Sequence, residues 1–227
     1  VRISKDYFQM IVNIRLFCDI HRHEVSEAAW EKIFGYGADF DFVFSDCEVV
    51  YQREMTRETY IDGVKSKITS SETYTFVMDG AKQYLSVSSS QKGKYGDIKV
   101  DEEEPEEERY SIKNEDGTYT IYRKNAAAEW TTSVSYLSYG VAADTLDDLL
   151  SLLYWYRFDD YVFSEARRGY VDADDFEGDG YVVKFDKEGR ISGLCREYED
   201  FSGDTLTHFE LGCTFYYKDL EIKLPSI

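Results

Sequence analysis

Residues 145–157, TLDDLLSLLYWYR, form the most apolar helical stretch in a chain whose other patterns mostly predict β-strands. Its apolar residues recur at the three- and four-residue spacing of a helix, at Leu146, Leu149, Leu150, Leu153 and Tyr156. Leu152 and Trp155 widen this face beyond a narrow stripe. A helix with so wide an apolar face must be covered on more than one side, either as core or as the wall of an apolar cavity.

The composition is typical of one globular, β-rich domain. Of the 227 residues, 43% are hydrophobic and 16% are aromatic, and aromatic residues favour strands. Lys and Arg number 26 against 45 Asp and Glu, which gives a net charge of −19. Because such a charge repels phosphate backbones, nucleic-acid binding is not expected. No apolar run is long enough to span a membrane, and we expect any signal or lipid-anchor segment to lie upstream of Val1.

Two helices are predicted before the strands. Residues 3–18 place apolar side chains on one helical face, and residues 26–34 form a shorter helix with Ser26 as its N-cap. From residue 39 the apolar period changes to two, which predicts a strand whose aromatic face is formed by Phe40, Phe42 and Phe44.

Further strands are predicted between turn signals such as Asp79-Gly80 and Asp116-Gly117. They are 56–69, 73–78, 83–88, 109–113, 119–123 and 129–136 before the central helix, and 161–163, 181–185, 190–201, 206–217 and 220–224 after it. Hairpins without βαβ alternation predict an antiparallel sheet. The expected fold is therefore α+β, with one large curved antiparallel sheet in a single domain of residues 1–227.

The acidic residues 101–108, DEEEPEEE, are predicted to form a solvated loop because their like charges repel each other. The functional alternative is a segment that binds cations or docks onto a partner.

This order of elements resembles the LolA/LolB-like and LppX-like lipoprotein group. Residues 27–34, EAAWEKIF, followed by DFDF at 39–42, look like the passage from helix to first strand in related surface lipoproteins of Gram-positive bacteria. YVVKFDKEGRI at 181–191 and LEIKLP at 220–225 resemble their final sheet and terminal proline. The resemblance implies an incomplete β-barrel with helices packed on its concave face, in some members an acyl-chain cavity, and an extracytoplasmic, cell-surface location in a bacterium. It supplies no catalytic residue.

Motifs of catalysis and of metal binding are weak. The chain has no G-x-S-x-G elbow, P-loop or Rossmann glycine pattern, and the S-x-x-K at 89–92 opens no helix. His21 and His23 lie near Glu24, but the sequence nominates no further ligand. His208 lies in a predicted strand without an evident Ser or Cys partner. We expect no enzyme, no cofactor and no metal.

Two other patterns bear on metal binding and on disulfide formation. Residues 172–180 resemble a calcium loop, but the positions for the EF-hand glycine and bidentate glutamate hold Glu177 and Val183. Cys195 and Cys213 are expected within about one residue of directly opposite each other in a hairpin that turns at 203–204. This separation allows a disulfide, and the sequence favours free thiols.

Two functions remain open from the sequence. The first is a non-enzymatic, extracytoplasmic, lipoprotein-like domain that holds a lipid or another apolar ligand between the sheet and helix 145–157. Its candidate lining residues are Leu149, Leu153, Trp155, Tyr156, Phe42 and Phe76. The second is a cell-surface interaction or structural domain with a filled core and no ligand, which would use the acidic stretch or a tyrosine-rich face. The sequence sets no oligomeric state.

Overall fold

The structure, a computed structural model, describes residues 25–34, 43–61, 63–136, 140–142, 157–175, 178–218 and 220–226. The predicted helix 3–18 and residues 145–156 of the central helix lie outside the described residues, as do Phe40 and Phe42. Arg157, the last residue of the predicted central helix, has an extended backbone with φ −95° and ψ 141°.

The described residues form one antiparallel sheet of twelve strands. The strands are β1 Cys47–Ile61, β2 Val64–Asp79, β3 Lys82–Tyr95, β4 Ile98–Glu103, β5 Glu107–Lys113, β6 Tyr119–Lys124, β7 Trp130–Ser135, β8 Tyr161–Ser164, β9 Gly169–Asp172, β10 Val182–Phe185, β11 Ile191–Ser202 and β12 Thr205–Tyr217. Their spatial order is β7-β6-β5-β3-β2-β1-β12-β11-β10-β9-β8, with β4 paired to β3. The sheet is not closed, because its edge strands β7 and β8 do not pair with each other. The prediction of a large antiparallel sheet is confirmed.

The strand prediction differs from the structure in several places, and it does not include β4 or β9. The predicted strand 56–69 belongs to two strands, because β1 ends at Ile61 and β2 begins at Val64, and these two residues pair. Within the predicted strand at 39–44, Val43 and Phe44 are helical, and β1 begins only at Cys47. Residues 220–224 are not a strand.

The short helix α1 spans Glu27–Glu31, within the predicted 26–34. Its N-cap is Ser26, as predicted, and the Ser26 hydroxyl accepts a hydrogen bond from the Ala29 amide at 3.3 Å. The expected packing of long helices on a concave face has no support, since α1 has five residues and the other described helical segments are shorter turns.

The core lies on one face of the sheet, which we call the core face and which carries Cys47, Val49 and Tyr51 of β1. Trp30 of α1 is fully buried there, with the rings of Phe34 and Tyr161 at 4.7 and 5.1 Å between centroids. The opposite face of the sheet is called the outer face below. Strand alternation and the strand register place Val77 of β2 and Tyr84 of β3 on it.

The acidic stretch is mostly strand, so the predicted loop is wrong for most of its length. β4 and β5 both pair with β3, and only residues 104–106 interrupt them. The Glu104 amide donates to the Ser89 carbonyl at 3.0 Å, which ties this interruption to β3. Basic side chains lie beside the carboxylates, as in the pairs Lys92–Glu103 at 2.8 Å and Lys124–Glu108 at 2.9 Å. This pairing explains how a run of like charges is held in a sheet.

A local ion-pair cluster lies at the end of the β1–β2 hairpin. Glu58 accepts from the ammonium groups of Lys65 at 2.7 Å and Lys67 at 2.8 Å. Hydrogen bonds from Lys65, the larger effect, and from Lys67 lower the pKa of Glu58 to about 2. The hydrogen bond with Glu58 raises the pKa of Lys65 to about 12.

We predict that the Glu58 carboxyl titrates near pH 2 in a two-dimensional NMR titration of the folded chain. Because the folded pKa is below the ordinary value of about 4.3, the stabilisation by this cluster is complete above that value and is lost as the pH falls toward 2. The double variant Lys65→Ala/Lys67→Ala should return the pKa of Glu58 to about 4.3. Lys99→Ala, which removes an exposed lysine that pairs with Asp101 instead, should leave it unchanged. A wild-type Glu58 that titrates near pH 4 would contradict this arrangement.

Candidate functional site

Of the six predicted lining residues, one, Phe76, lies among the residues that the structure describes. Phe42, Leu149, Leu153, Trp155 and Tyr156 lie outside the described residues. Phe76 lies on the core face of β2 with no exposed surface, and its ring packs edge-on against Phe44 at 5.7 Å. Phe76 therefore serves the core, and its predicted role beside a ligand stays a prediction.

A groove lies on the outer face of the sheet, beside the β2–β3 turn. It has a volume of about 430 Å³. We call it the aromatic groove, and its walls are Val77, Tyr84 and Tyr110 from the sheet and residues 220–223 from the C-terminal segment.

The sheet wall of the aromatic groove follows from strand register. Val77 of β2 pairs with Tyr84 of β3, Tyr84 pairs with Tyr110 of β5, and Tyr110 pairs with Tyr122 of β6. Directly paired residues point to the same face, so a row of aromatic side chains crosses three neighbouring strands. The Tyr84 and Tyr110 rings are 4.9 Å apart, and Trp130 of β7 contacts Tyr110 edge-on at 5.4 Å.

The C-terminal segment forms the second wall because the β2–β3 turn holds its backbone. The Ile222 amide donates to Asp79 Oδ2 at 3.0 Å, and Lys82 Nζ donates to the Ile222 carbonyl at 3.0 Å. The Ile222 side chain is buried against the sheet. Two polar contacts and one buried apolar side chain therefore fix this segment without any strand pairing.

Polar groups lie at one side of the aromatic row. The Tyr84 hydroxyl donates to Glu108 Oε1 at 3.5 Å, and Lys124 pairs with Glu108 at 2.9 Å while its ammonium lies 5.0 Å from the Trp130 ring. Burial raises the pKa of Tyr84 and of Tyr110 above the ordinary value, so both phenols stay protonated at neutral pH. The groove thus combines aromatic surface and two neutral hydroxyls with Glu221 and Lys223 in its second wall, and the Glu108–Lys124 pair lies beside it.

A second cavity of about 320 Å³ lies where β10 begins beside β11. Its lining residues are Arg167, Gly180, Val182, Cys195, Arg196, Glu197, Glu210 and Leu211. Arg167 anchors one wall by donating to the Gly178 carbonyl and pairing with Asp175 at 3.6 Å.

The carboxylates of the segment that resembles a calcium loop bind backbone amides. Asp175 accepts from the amides of Gly178, Asp179 and Gly180 at 2.9, 3.1 and 3.0 Å. Asp172 Oδ1 accepts from the Asp174 amide at 2.8 Å. These hydrogen bonds hold the β9–β10 connection in place as a wall of the second cavity.

The cysteines that the structure describes are free thiols. Leu194 pairs with Cys213 and Cys195 pairs with Gly212, so the predicted offset of one residue is confirmed. An offset of one residue places Cys195 and Cys213 on opposite faces of the sheet, which keeps their sulfur atoms apart. Burial raises the pKa of the Cys47 thiol to about 12 and also raises that of Cys213, so both remain protonated and unreactive.

His208 of β12 has carboxylate partners, which the sequence analysis does not name. On the outer face its imidazole lies among the carboxylates of Glu197 and Glu199 from β11 and of Glu210 from its own strand. The sequence signal for this cluster is the alternation E-Y-E at 197–199 and H-F-E at 208–210, because a hairpin that turns at 203–204 pairs these two segments.

The comparisons with known proteins assign the chain to no family. No protein-family model matches the chain, and neither does a curated protein or a solved structure. In the part of the chain that the structure describes, no helix has the length and apolar character to cross a membrane.

Proposed function

We propose that this protein is a non-enzymatic binding domain that holds a lipid or another apolar ligand in the aromatic groove. The observation that carries the proposal is the groove itself, a space of about 430 Å³ with two tyrosine rings on one wall and a fixed peptide segment on the other. Ligand pockets typically measure about 300–1,000 Å³ and combine apolar walls with a few polar groups.

The chemistry of the walls favours a ligand with an apolar body and a polar end. Val77, Tyr84 and Tyr110 offer apolar and aromatic surface to the body. Lys223 lies in the opposite wall, and the Glu108–Lys124 pair lies at the side of the row, so a hydroxyl or carboxylate of the ligand has donors and acceptors nearby.

Four further expectations from the sequence are proposals as well. They are the likeness to LolA- and LppX-type lipoproteins, a curved sheet in the form of an incomplete barrel, an extracytoplasmic location and a second ligand surface beneath helix 145–157. The aromatic groove does not depend on any of them, because its described walls come from β2, β3, β5 and the C-terminal segment.

The double variant Tyr84→Ala/Tyr110→Ala is expected to weaken binding of an apolar fluorescent probe, 1-anilinonaphthalene-8-sulfonate, by about tenfold to 100-fold. The physical reason is the loss of two aromatic surfaces, each worth on the order of 1 kcal/mol when buried by a ligand. Probe fluorescence in a titration measures the change.

The matched control for this experiment is Tyr198→Ala. Tyr198 is a partly buried tyrosine that stacks on Phe209 at 4.7 Å on the core face of the same sheet. It should leave the affinity within about twofold, since it lies on the other face. Equal probe binding by the wild type and by the groove variant would overturn the proposed site.

A surface interaction domain is the second candidate, and one observation favours it. Where β3 ends and β4 begins, Tyr95 pairs with Ile98, and these side chains are 54% and 67% exposed. Val64 at the start of β2 lies beside them and is also exposed. Large apolar side chains that lie together on a surface mark interaction sites in many proteins. If the groove takes no ligand, we expect this end of the sheet to be the interaction surface.

A further inference from the structure

His208 lies at the centre of three carboxylates on the outer face of the sheet. The register pairs Glu199 directly with His208, and Glu197 directly with Glu210. Imidazole Nε2 is 3.2 Å from Glu210 Oε1 and 3.5 Å from Glu197 Oε1, while Nδ1 is 3.7 Å from Glu199 Oε1. Two glutamates therefore approach one ring nitrogen, and the third approaches the other.

The charges at this place are unbalanced. Glu210 pairs with Glu54 of β1 on one side and with Glu197 of β11 on the other, so three glutamates stand side by side across three strands. Like charges in directly opposite positions destabilise a sheet. Within the described residues no lysine or arginine forms an ion pair with Glu197, Glu199 or Glu210. A bound cation would remove this repulsion.

The distances fit the coordination shell of a transition-metal ion. Bonds of about 2.0–2.2 Å from a tetrahedral zinc ion to nitrogen and oxygen place neighbouring ligand atoms about 3.4 Å apart. The two distances from Nε2, 3.2 and 3.5 Å, have this length. One ligand atom from each of Glu197, His208 and Glu210 lies within 4.8 Å of the others, a spread that rotation of exposed glutamate side chains can close.

The third carboxylate, Glu199, and the adjoining cavity complete the arrangement. In metal sites the ring nitrogen that does not bind the ion usually faces a carboxylate, which orients the imidazole, and Glu199 lies on that side of His208. Glu197 and Glu210 also line the cavity of about 320 Å³ described above, so a fourth ligand has room beside them.

We propose that Glu197, His208 and Glu210 bind one divalent first-row transition-metal ion, with Glu199 as the carboxylate that orients His208. One imidazole and two carboxylates suit zinc, cobalt or manganese, whereas calcium and magnesium prefer oxygen ligands alone. The competing account is an exposed cluster in which His208 contacts the glutamates and holds no metal.

Metal titration of the full chain separates the two accounts. The wild type, stripped with a chelator, is titrated with ZnCl₂ by calorimetry at pH 7.5, and CoCl₂ is followed by its visible absorption spectrum. We expect one strong site and a cobalt spectrum with tetrahedral intensity. His208→Ala should weaken zinc binding by about 100-fold or more, and Glu199→Gln by about tenfold, since outer partners of metal ligands are worth 10- to 100-fold.

Two controls make the result specific to this place. Glu102→Gln makes the same change of charge on β4 and should leave the affinity unchanged. The double variant His21→Ala/His23→Ala removes the other histidines and should keep the strong site. The absence of a strong site in the wild type, or a strong site that survives His208→Ala but not the double variant, would overturn the proposal.

Discussion

Replacement of Trp30 by alanine is expected to lower the free energy of unfolding by about 3–5 kcal/mol, the usual cost of removing a large aromatic side chain from a core. Trp30 has no exposed surface. Besides Phe34, the rings around it belong to Phe158, Tyr161, Tyr170 and Phe185, at 5.9, 5.1, 5.5 and 5.6 Å. These contacts join α1 to strands β8, β9 and β10, so the cavity left by alanine would open between the start of the described chain and one edge of the sheet.

Urea unfolding followed by circular dichroism measures this loss. The matched control is Trp130→Ala, which removes the same side chain from a half-buried position on the outer face of β7. Because Trp130 is open to water on one side, its replacement should cost clearly less than that of Trp30. A Trp30→Ala variant as stable as Trp130→Ala would contradict the described core.

The second large effect is expected for Gly93→Ala in β3. A Cβ atom at Gly93 would overlap the carbonyl oxygen of Lys67 and lie 2.9 Å from Ile68 Cα on the paired strand β2. The φ angle of Gly93 is 151°, which side chains rarely adopt. Relief of this overlap requires β2 and β3 to move apart, and we expect a loss of about 1–3 kcal/mol in the free energy of unfolding.

Gly212→Ala in β12 is the control for this substitution. No atom lies within 4 Å of a Cβ built at Gly212. Its replacement should change the free energy of unfolding by less than about 0.5 kcal/mol, or stabilise the protein slightly by restricting the unfolded chain. Equal stability of the two alanine variants in the same urea experiment would show that β2 and β3 do not approach as closely as described.

The sheet was predictable because its signals are local. Two-residue alternation and turns such as Asp79-Gly80 mark strands without knowledge of their partners. Asp62-Gly63 is a turn signal of the same kind, and the predicted strand 56–69 runs across it, from the end of β1 into the start of β2. The aromatic alternation around Phe44 also misled, since Phe44 is buried from a helical turn and not from a strand.

Both candidate sites depend on partners that local patterns do not name. Tyr84 and Tyr110 come together only because β3 pairs with β5, and the other wall of the groove comes from residues 220–223. His208 meets Glu197 and Glu199 only in one register of the β11–β12 hairpin. A shift by one residue would turn each of these side chains to the other face.

The most direct test of the ligand-binding account is native mass spectrometry of the intact chain, followed by organic extraction of what travels with it. We predict that the wild type carries, or takes up from an added lipid mixture, one apolar ligand per chain. Tyr84→Ala/Tyr110→Ala should lose most of this added mass, and Tyr198→Ala should retain it. A wild type that remains at the mass of the bare chain with every lipid offered would contradict the account.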